Sequence, residues 1–259
     1  MTSAPGHAGP RPSAEWRPLS TAEHIERLEA EGRRLGDVVA HVPLDAAVPG
    51  CPGWDVAALV RHIGEVHRWA ATIVADRVQQ RLRRDLSAPV DRDSLLAWYA
   101  EGHAHLLGAL RGASPEDDFW AWGAAPNPQA FWARRQSHET AIHRLDAEQA
   151  AGFATAFPAP AAADGIDEWL MLASRRCRVA DGGGRLLHVA ASDTPGAWVV
   201  ELREDGLGVE RGHAAADCSV RAPASDLFAL LMNRRDAAGV DVAGDADVLR
   251  AWRESVHFD

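Results

Sequence analysis

Apolar residues recur every three or four positions in four separate stretches between Ser20 and Gly152, and this helical periodicity constrains the fold more than any other feature of the chain. Four amphipathic helices are typical of a four-helix bundle, because each helix can bury its apolar stripe against the others. Ser20 and Glu23 have the spacing of a capping box, and Gly152 suits a left-handed C-terminal cap. We therefore predict helices that begin near Ser20, span about 55–75 and 94–110, and run from Pro128 to Gly152.

The sequence pattern changes after Gly152. Residues 153–165 contain prolines, few charges and no periodicity, which is typical of a linker. A helix over 166–179 then precedes four short strands at 186–191, 198–203, 207–211 and 218–221, and two more helices follow at 223–233 and 245–256. The predicted organisation is α+β: a disordered leader (1–17), a four-helix bundle (18–152), a linker (153–165) and a small α+β domain with an antiparallel sheet (166–259).

Composition excludes several function classes. The chain has 27 basic and 37 acidic residues, and its formal charge of −10 disfavours nucleic acid and anionic lipid as partners. All basic residues are arginine, which excludes a lysine Schiff base. The chain has neither a signal-peptide core nor an apolar run of about 18 residues, and its three cysteines form no CxxC pair. We expect a cytoplasmic monomer or homodimer that binds neither nucleic acid nor a membrane.

Three side chains have the spacing of metal ligands. His62 lies on the apolar stripe of the second predicted helix, three residues after Leu59 and four before Val66, so its imidazole should face the bundle interior. Glu139 and His143 are four residues apart on the fourth helix and therefore share one face. Together they would form a His2Glu set with an open coordination position, which is the arrangement of catalytic rather than structural metal sites.

The same spacing allows interpretations without a metal. His62 would then be a core histidine bonded to a carbonyl, and Glu139 and His143 a surface pair, with Glu139 neutralised by Arg135 four residues earlier. Asp146, three residues after His143, would be either a solvated side chain or a carboxylate that orients a metal ligand.

Two segments carry a family resemblance: VPGCPGWDVAALVRHIGEVHRWA, which contains His62, and RRQSHETAIHRLDAE. They resemble the mycothiol-dependent maleylpyruvate isomerase family, whose N-terminal lobe is a DinB-like four-helix bundle. The tail LHVAASDTPGAWVVELREDGLGVERGHAAADCSVRAPASDLFALLMNRRD resembles the C-terminal lobe of that family, which is similar to sterol carrier proteins. Cys51 precedes the second helix, whose dipole would lower the pKa of a thiol and make it reactive. The resemblance places CPGW in a structural turn into that helix, so we expect Cys51 to be a packing residue rather than a reactive thiol.

The resemblance implies a metal and a thiol cofactor. In the family a divalent metal, usually zinc, is held by one His of the second helix and by a Glu and a His of the fourth, which match His62, Glu139 and His143 here. It further implies that the thiol of mycothiol approaches the open metal position, where positive charge favours the thiolate. The thiolate then adds to an activated alkene in an isomerase, or attacks an electrophile to leave a conjugate in a transferase.

A dicarboxylate substrate would need guanidinium partners, because arginine binds carboxylates through two parallel hydrogen bonds. Arg234 and Arg235 lie in a segment that resembles an arginine-bearing stretch of the family, and Arg68 and Arg135 are weaker candidates. We expect a metal-dependent, mycothiol-utilising isomerase or S-transferase that acts on a small electrophile. A non-catalytic protein that binds a metal or small ligand, and a hydrolase that uses a metal-bound water, are the alternatives.

Overall fold

The computed structural model describes residues 16–84, 87–123, 125–180 and 182–257. These residues form two compact units, one made of 19–155 and the other of 16–18 together with the residues from 156 onward. Apart from Trp16 and Arg17, the predicted disordered leader lies outside the described residues. Within its unit, Trp16 is contacted by Arg211, whose guanidinium lies 4.8 Å from the indole ring centroid. No described helix combines the length and apolarity needed to cross a membrane.

Four helices form the first unit, as predicted, and side-chain caps fix where they begin. Ser20 and Glu23 form the predicted capping box at the start of the first helix. Asp55 caps the second helix, where its carboxylate accepts a backbone N–H at 2.7 Å, and Asn127 caps the fourth at 2.9 Å. The helices are α1 (Thr21–Val39), α2 (Val56–Ala75), α3 (Arg92–Gly112) and α4 (Pro128–Ala150).

The bundle core forms where α1 packs against α4 and α2 packs against α3, with further contacts of α1 with α3 and of α2 with α4. Leu28, Leu59 and Leu106 are fully buried there, and each such side chain contributes roughly 1.5–3 kcal/mol. Helix α4 differs from the others because it also buries polar side chains along most of its length. They are Gln129, Arg135, Gln136, Ser137, His138, Thr140, His143, Arg144, Asp146 and Glu148.

The second unit is a five-stranded sheet with three helices packed on it. The strand order is β3-β2-β1-β4-β5. Alternate strand residues such as Leu187, Val189 and Val200 are fully buried, as expected for a sheet with a covered face. The elements are α5 (Ala159–Arg176), β1 (Arg185–Ala191), β2 (Ala197–Leu202), β3 (Leu207–Arg211), β4 (Cys218–Ala222), α6 (Ala224–Leu231), β5 (Asp241–Gly244) and α7 (Ala246–Ser255).

The α+β class is confirmed, and three details differ from the sequence prediction. Helix α5 begins at Ala159, inside the predicted linker, because prolines fit the first turn of a helix and the alanines that follow have high helix propensity. The sheet is mixed, since β1 pairs in parallel with β4 while the other pairings are antiparallel. Strand β5 was not predicted because its four residues are too few for alternation to be recognised.

Candidate metal centre

His62, Glu139 and His143 lie together between α2 and α4. Each offers one ligand atom, and these atoms lie within 4.8 Å of one another. Oε1 of Glu139 is 3.3 Å from Nε2 of His62 and 3.5 Å from Nε2 of His143. The side chains of His62 and Glu139 are 27% and 20% exposed and that of His143 is 8% exposed, so the cluster opens to solvent on the side of His62 and Glu139.

Helix geometry and helix packing together create this cluster. Residues four apart on α4 point the same way, which brings the side chains of Glu139 and His143 one above the other. His62 reaches them from α2 because α2 and α4 pack side by side in antiparallel directions. The same direction of packing places Trp69 of α2 against Trp132 of α4, with ring centroids 5.1 Å apart.

The two carboxylate oxygens of Glu139 have different partners. Oε1 faces the two imidazoles, whereas Oε2 forms an ion pair with Arg135, one turn earlier on α4. Burial alone raises the pKa of Glu139, but the positive charge of Arg135 and the hydrogen bonds from His143 and His62 outweigh burial and hold that pKa well below its usual range. Glu139 is therefore a carboxylate, and Arg135 pairs with it without occupying the oxygen that faces the histidines.

Asp146 holds the opposite edge of the His143 ring. The carboxylate is fully buried, and its Oδ2 lies 2.9 Å from Nδ1 of His143. Burial lowers the pKa of His143, but the carboxylates of Asp146 and Glu139 outweigh it and raise the pKa to about 9. With its N–H directed at Asp146, Nδ1 leaves the Nε2 lone pair toward Glu139 and His62 whenever the ring is neutral.

Two residues of the turn before α2 also contact the site, and sequence reasoning missed both contacts. The indole of Trp54 lies 4.9 Å from the His62 ring and 6.1 Å from the His143 ring, nearly parallel to the latter at 14°. The Cys51 thiol donates a hydrogen bond to Oδ2 of Asp146 at 3.3 Å. The only sequence signal was the family likeness of the CPGW segment, which indicated a turn but not what the turn touches.

The other three predicted arginines each contact residues of their own unit. Arg68 faces α3, where its guanidinium donates to the Trp98 carbonyl at 2.6 Å and lies 4.7 Å from the Trp98 ring centroid. Arg234 and Arg235 follow α6 in the second unit. The former donates to the Met232 carbonyl at 3.0 Å, and the latter forms an ion pair with Asp226. Of the four candidates, the structure brings Arg135 to the histidine and glutamate cluster and directs Arg68 away from it.

Comparison with known proteins gives two family matches that follow one another along the chain. Residues 25–148 match the mycothiol maleylpyruvate isomerase N-terminal domain, and residues 166–249 match the SCP-2 sterol transfer family. No curated protein sequence matches the chain.

Solved structures agree on the fold. The crystal structure of the mycothiol-dependent maleylpyruvate isomerase has a TM-score of 0.62 at 14% identity, and the alignment covers 87% of this chain and 93% of that one. A histidine-to-alanine mutant of that enzyme has a TM-score of 0.64 at 13% identity with the same coverage. The bundle therefore belongs to the mycothiol maleylpyruvate isomerase N-terminal domain family, and the sheet unit to the SCP-2 sterol transfer family.

Proposed function

We propose that this protein is a metal-dependent enzyme in which His62, Glu139 and His143 hold a divalent cation, most suitably zinc, and mycothiol supplies a thiol that attacks a small electrophile. The match of the bundle to the isomerase N-terminal domain and the mycothiol dependence of the solved isomerase with this fold support the use of mycothiol. The observation that carries the metal assignment is the position of Glu139 Oε1, 3.3 and 3.5 Å from the two imidazole nitrogens.

These separations fit a common cation. Two donor atoms that each lie about 2.0–2.2 Å from one tetrahedral ion are roughly 3.4 Å apart. The donor set of two neutral imidazoles and one carboxylate is also one that zinc accepts, and three protein ligands leave a position for another molecule. The partial exposure of His62 and Glu139 supplies a route by which that molecule reaches the cluster.

The side chains around the cluster prepare the three ligands. Arg135 keeps Glu139 ionised, and Asp146 fixes the Nδ1–H tautomer of His143, so both ligands present lone pairs to the same point. A divalent cation bound there would lower the pKa of an incoming thiol and favour its thiolate near neutral pH. Half-buried Trp54 limits the access of water beside the two imidazoles.

Two reactions use such a thiolate. In an isomerisation, sulfur forms a bond to one carbon of an activated alkene, the remaining single bond rotates, and elimination restores the double bond and the thiol. In a transfer, sulfur displaces a leaving group or opens an electrophile and remains in the product. The three cysteines of the chain are buried and form no disulfide, which is in keeping with the reducing cytoplasm that we propose as its location. Their burial leaves the external thiol as the nucleophile.

Metal analysis tests this proposal. We expect about one Zn²⁺ or Co²⁺ per chain in the loaded protein, loss of that metal in His62→Ala, and a change in the Co²⁺ absorption spectrum when mycothiol is added. A second imidazole pair requires a control, because His188 Nε2 and His213 Nδ1 lie 3.1 Å apart in the sheet unit and can also bind a cation. The Co²⁺ absorption spectrum of His188→Ala should still change when mycothiol is added. Full occupancy in His62→Ala, or a spectrum indifferent to mycothiol, would contradict the proposal.

A further inference from the structure

A tight turn at Cys51–Trp54 leads into α2. The Cys51 N–H donates to the Val48 carbonyl, the Trp54 N–H donates to the Cys51 carbonyl, and the Val48 N–H donates to the Trp54 carbonyl, each at 3.0 Å. Gly53 has a φ of +84°, in the left-handed region that glycine adopts without strain. These constraints fix where the Cys51 and Trp54 side chains point.

Trp54 contacts both histidines of the candidate metal centre. Its ring is 4.9 Å from that of His62 and 6.1 Å from that of His143, and the two imidazoles are themselves 4.9 Å apart. His62 has the most exposed side chain of the three ligands, at 27%. A partly exposed imidazole populates other rotamers unless a neighbour restrains it, and the indole of Trp54 is such a neighbour.

Cys51 acts on the other histidine, His143, indirectly through Asp146. Its thiol donates to Oδ2 of Asp146 at 3.3 Å, and the same oxygen lies 2.9 Å from Nδ1 of His143. Cys51 is nearly buried and Asp146 is fully buried, so their contact is sheltered from exchange with water. One turn therefore contacts His143 directly at its ring face and, through Asp146, at its Nδ1 edge.

We propose that the Cys51–Trp54 turn is a positioning element that fixes the metal-binding orientation of His62 and His143. Trp54 restrains both rings, and Cys51 holds the carboxylate that orients His143. The inference rests on the proposed function, since it assumes that these histidines bind a metal. Residues that support metal ligands change metal affinity about 10- to 100-fold when they are replaced, because the ligands must then be ordered during binding.

Co²⁺ titration of the full chain, followed by visible absorption, tests the roles of Trp54 and Cys51 separately. Trp54→Leu should weaken Co²⁺ binding about 10- to 100-fold and alter the absorption bands, whereas Trp54→Phe, which retains a ring, should stay closer to wild type. Cys51→Ala should weaken binding, and Cys51→Ser, which retains a donor, should restore most of it. Trp98→Leu is the matched control, because Trp98 is a half-buried tryptophan that packs on the same apolar cluster as Trp54 but faces Arg68.

The outcomes separate this inference from the proposed function. Wild-type affinity and absorption in both Trp54→Leu and Cys51→Ala would overturn the positioning role and leave the metal site standing. Wild-type protein that binds no Co²⁺ would overturn both. Equal weakening in Trp98→Leu would show a general loss of packing and would also overturn the positioning role. Since Trp54→Leu removes a large side chain, the comparison of Cys51→Ala with Cys51→Ser supplies the decisive result if that variant fails to fold.

Discussion

Two groups of imidazoles, each with one member on α2, lie within one bundle, and they differ in the charges around them. The first is His62 with His143, which share the carboxylate of Glu139. The second contains His67 and His103, whose rings are 5.4 Å apart beside Tyr99. In this second group the hydrogen-bond partners are neutral, namely the Thr140 hydroxyl for His67 at 2.8 Å and the Leu28 carbonyl for His103 at 3.0 Å.

The pKa values of His143 and His67 consequently shift in opposite directions. Burial lowers the pKa of His143 and of His67 alike, but only His143 has two carboxylates in contact, and its pKa rises to about 9. Burial, followed by repulsion from His103, holds the pKa of His67 well below the ordinary value of 6.5. Proximity of imidazoles alone therefore does not indicate a metal site. The carboxylate between the two imidazoles is what distinguishes the candidate metal centre from a histidine-rich core.

Removing the carboxylate charge of Glu139 should have the largest effect on metal affinity. Glu139→Gln should weaken Zn²⁺ or Co²⁺ binding by more than about 100-fold, because a ligand is lost, and even residues that only support a ligand contribute 10- to 100-fold. Competition with a chromophoric chelator measures the affinity. Glu101→Gln, on the exposed surface of α3, is the control and should bind metal like the wild type. Unchanged affinity in Glu139→Gln would mean that Glu139 serves Arg135 alone.

Changes around the second group, His67 and His103, should affect the stability of the fold and not metal binding. Thr140→Val removes the partner of His67 Nε2, and Nδ1 of the same ring already has no partner among the described residues. A buried imidazole left without hydrogen bonds should lower the free energy of unfolding by about 1–3 kcal/mol. Urea denaturation measures this loss, and Thr140→Ser, which keeps the hydroxyl, should recover part of it. Wild-type stability in Thr140→Val, which keeps the methyl group and loses only the hydroxyl, would contradict this expectation.

Acid should also destabilise the folded protein through His67, by a smaller amount. His67 has a lowered pKa in the folded protein and a pKa near 6.5 when unfolded, so below pH 6.5 the unfolded chain binds a proton that the folded chain does not. Its contribution is therefore complete above pH 6.5 and declines as the pH falls. From pH 6.5 to 5.5 the free energy of unfolding should drop by about 1 kcal/mol more in the wild type than in His67→Gln. Parallel urea curves for both proteins at the two pH values provide the measurement. Identical drops would show that the folded protein protonates His67 as readily as the unfolded chain does, and would contradict the prediction.

Local sequence rules predicted much of the bundle. The capping box at Ser20 and the start of α4 at Pro128 depend on residues within one turn, and both are present in the structure. The rules were less successful in the sheet unit. Alternation indicates which face of a strand is buried but not which strand lies beside it, so the parallel pairing of Val189 in β1 with Val220 in β4 was not predicted.

The candidate site was likewise predicted only in part from the sequence. Spacing alone places Glu139 and His143 on one face of α4, and places Asp146 one turn beyond, because an α-helix repeats every 3.6 residues. The apolar stripe of the second predicted helix turned His62 toward the bundle interior, and the family likeness supported its place in that set. Contacts from the turn before α2 follow from no local rule, since Cys51 and Asp146 are 95 residues apart.

What the sequence by itself determined, then, is the set of helices, the shared face of Glu139 and His143 on α4 and the likeness of the bundle to a known domain family. Only the tertiary structure decided that one oxygen of Glu139 faces two imidazoles while the other faces Arg135, and that Trp54 covers both rings. The physical reason is that helix formation depends on neighbours three and four residues away, whereas these contacts depend on how α2 and its preceding turn pack against α4.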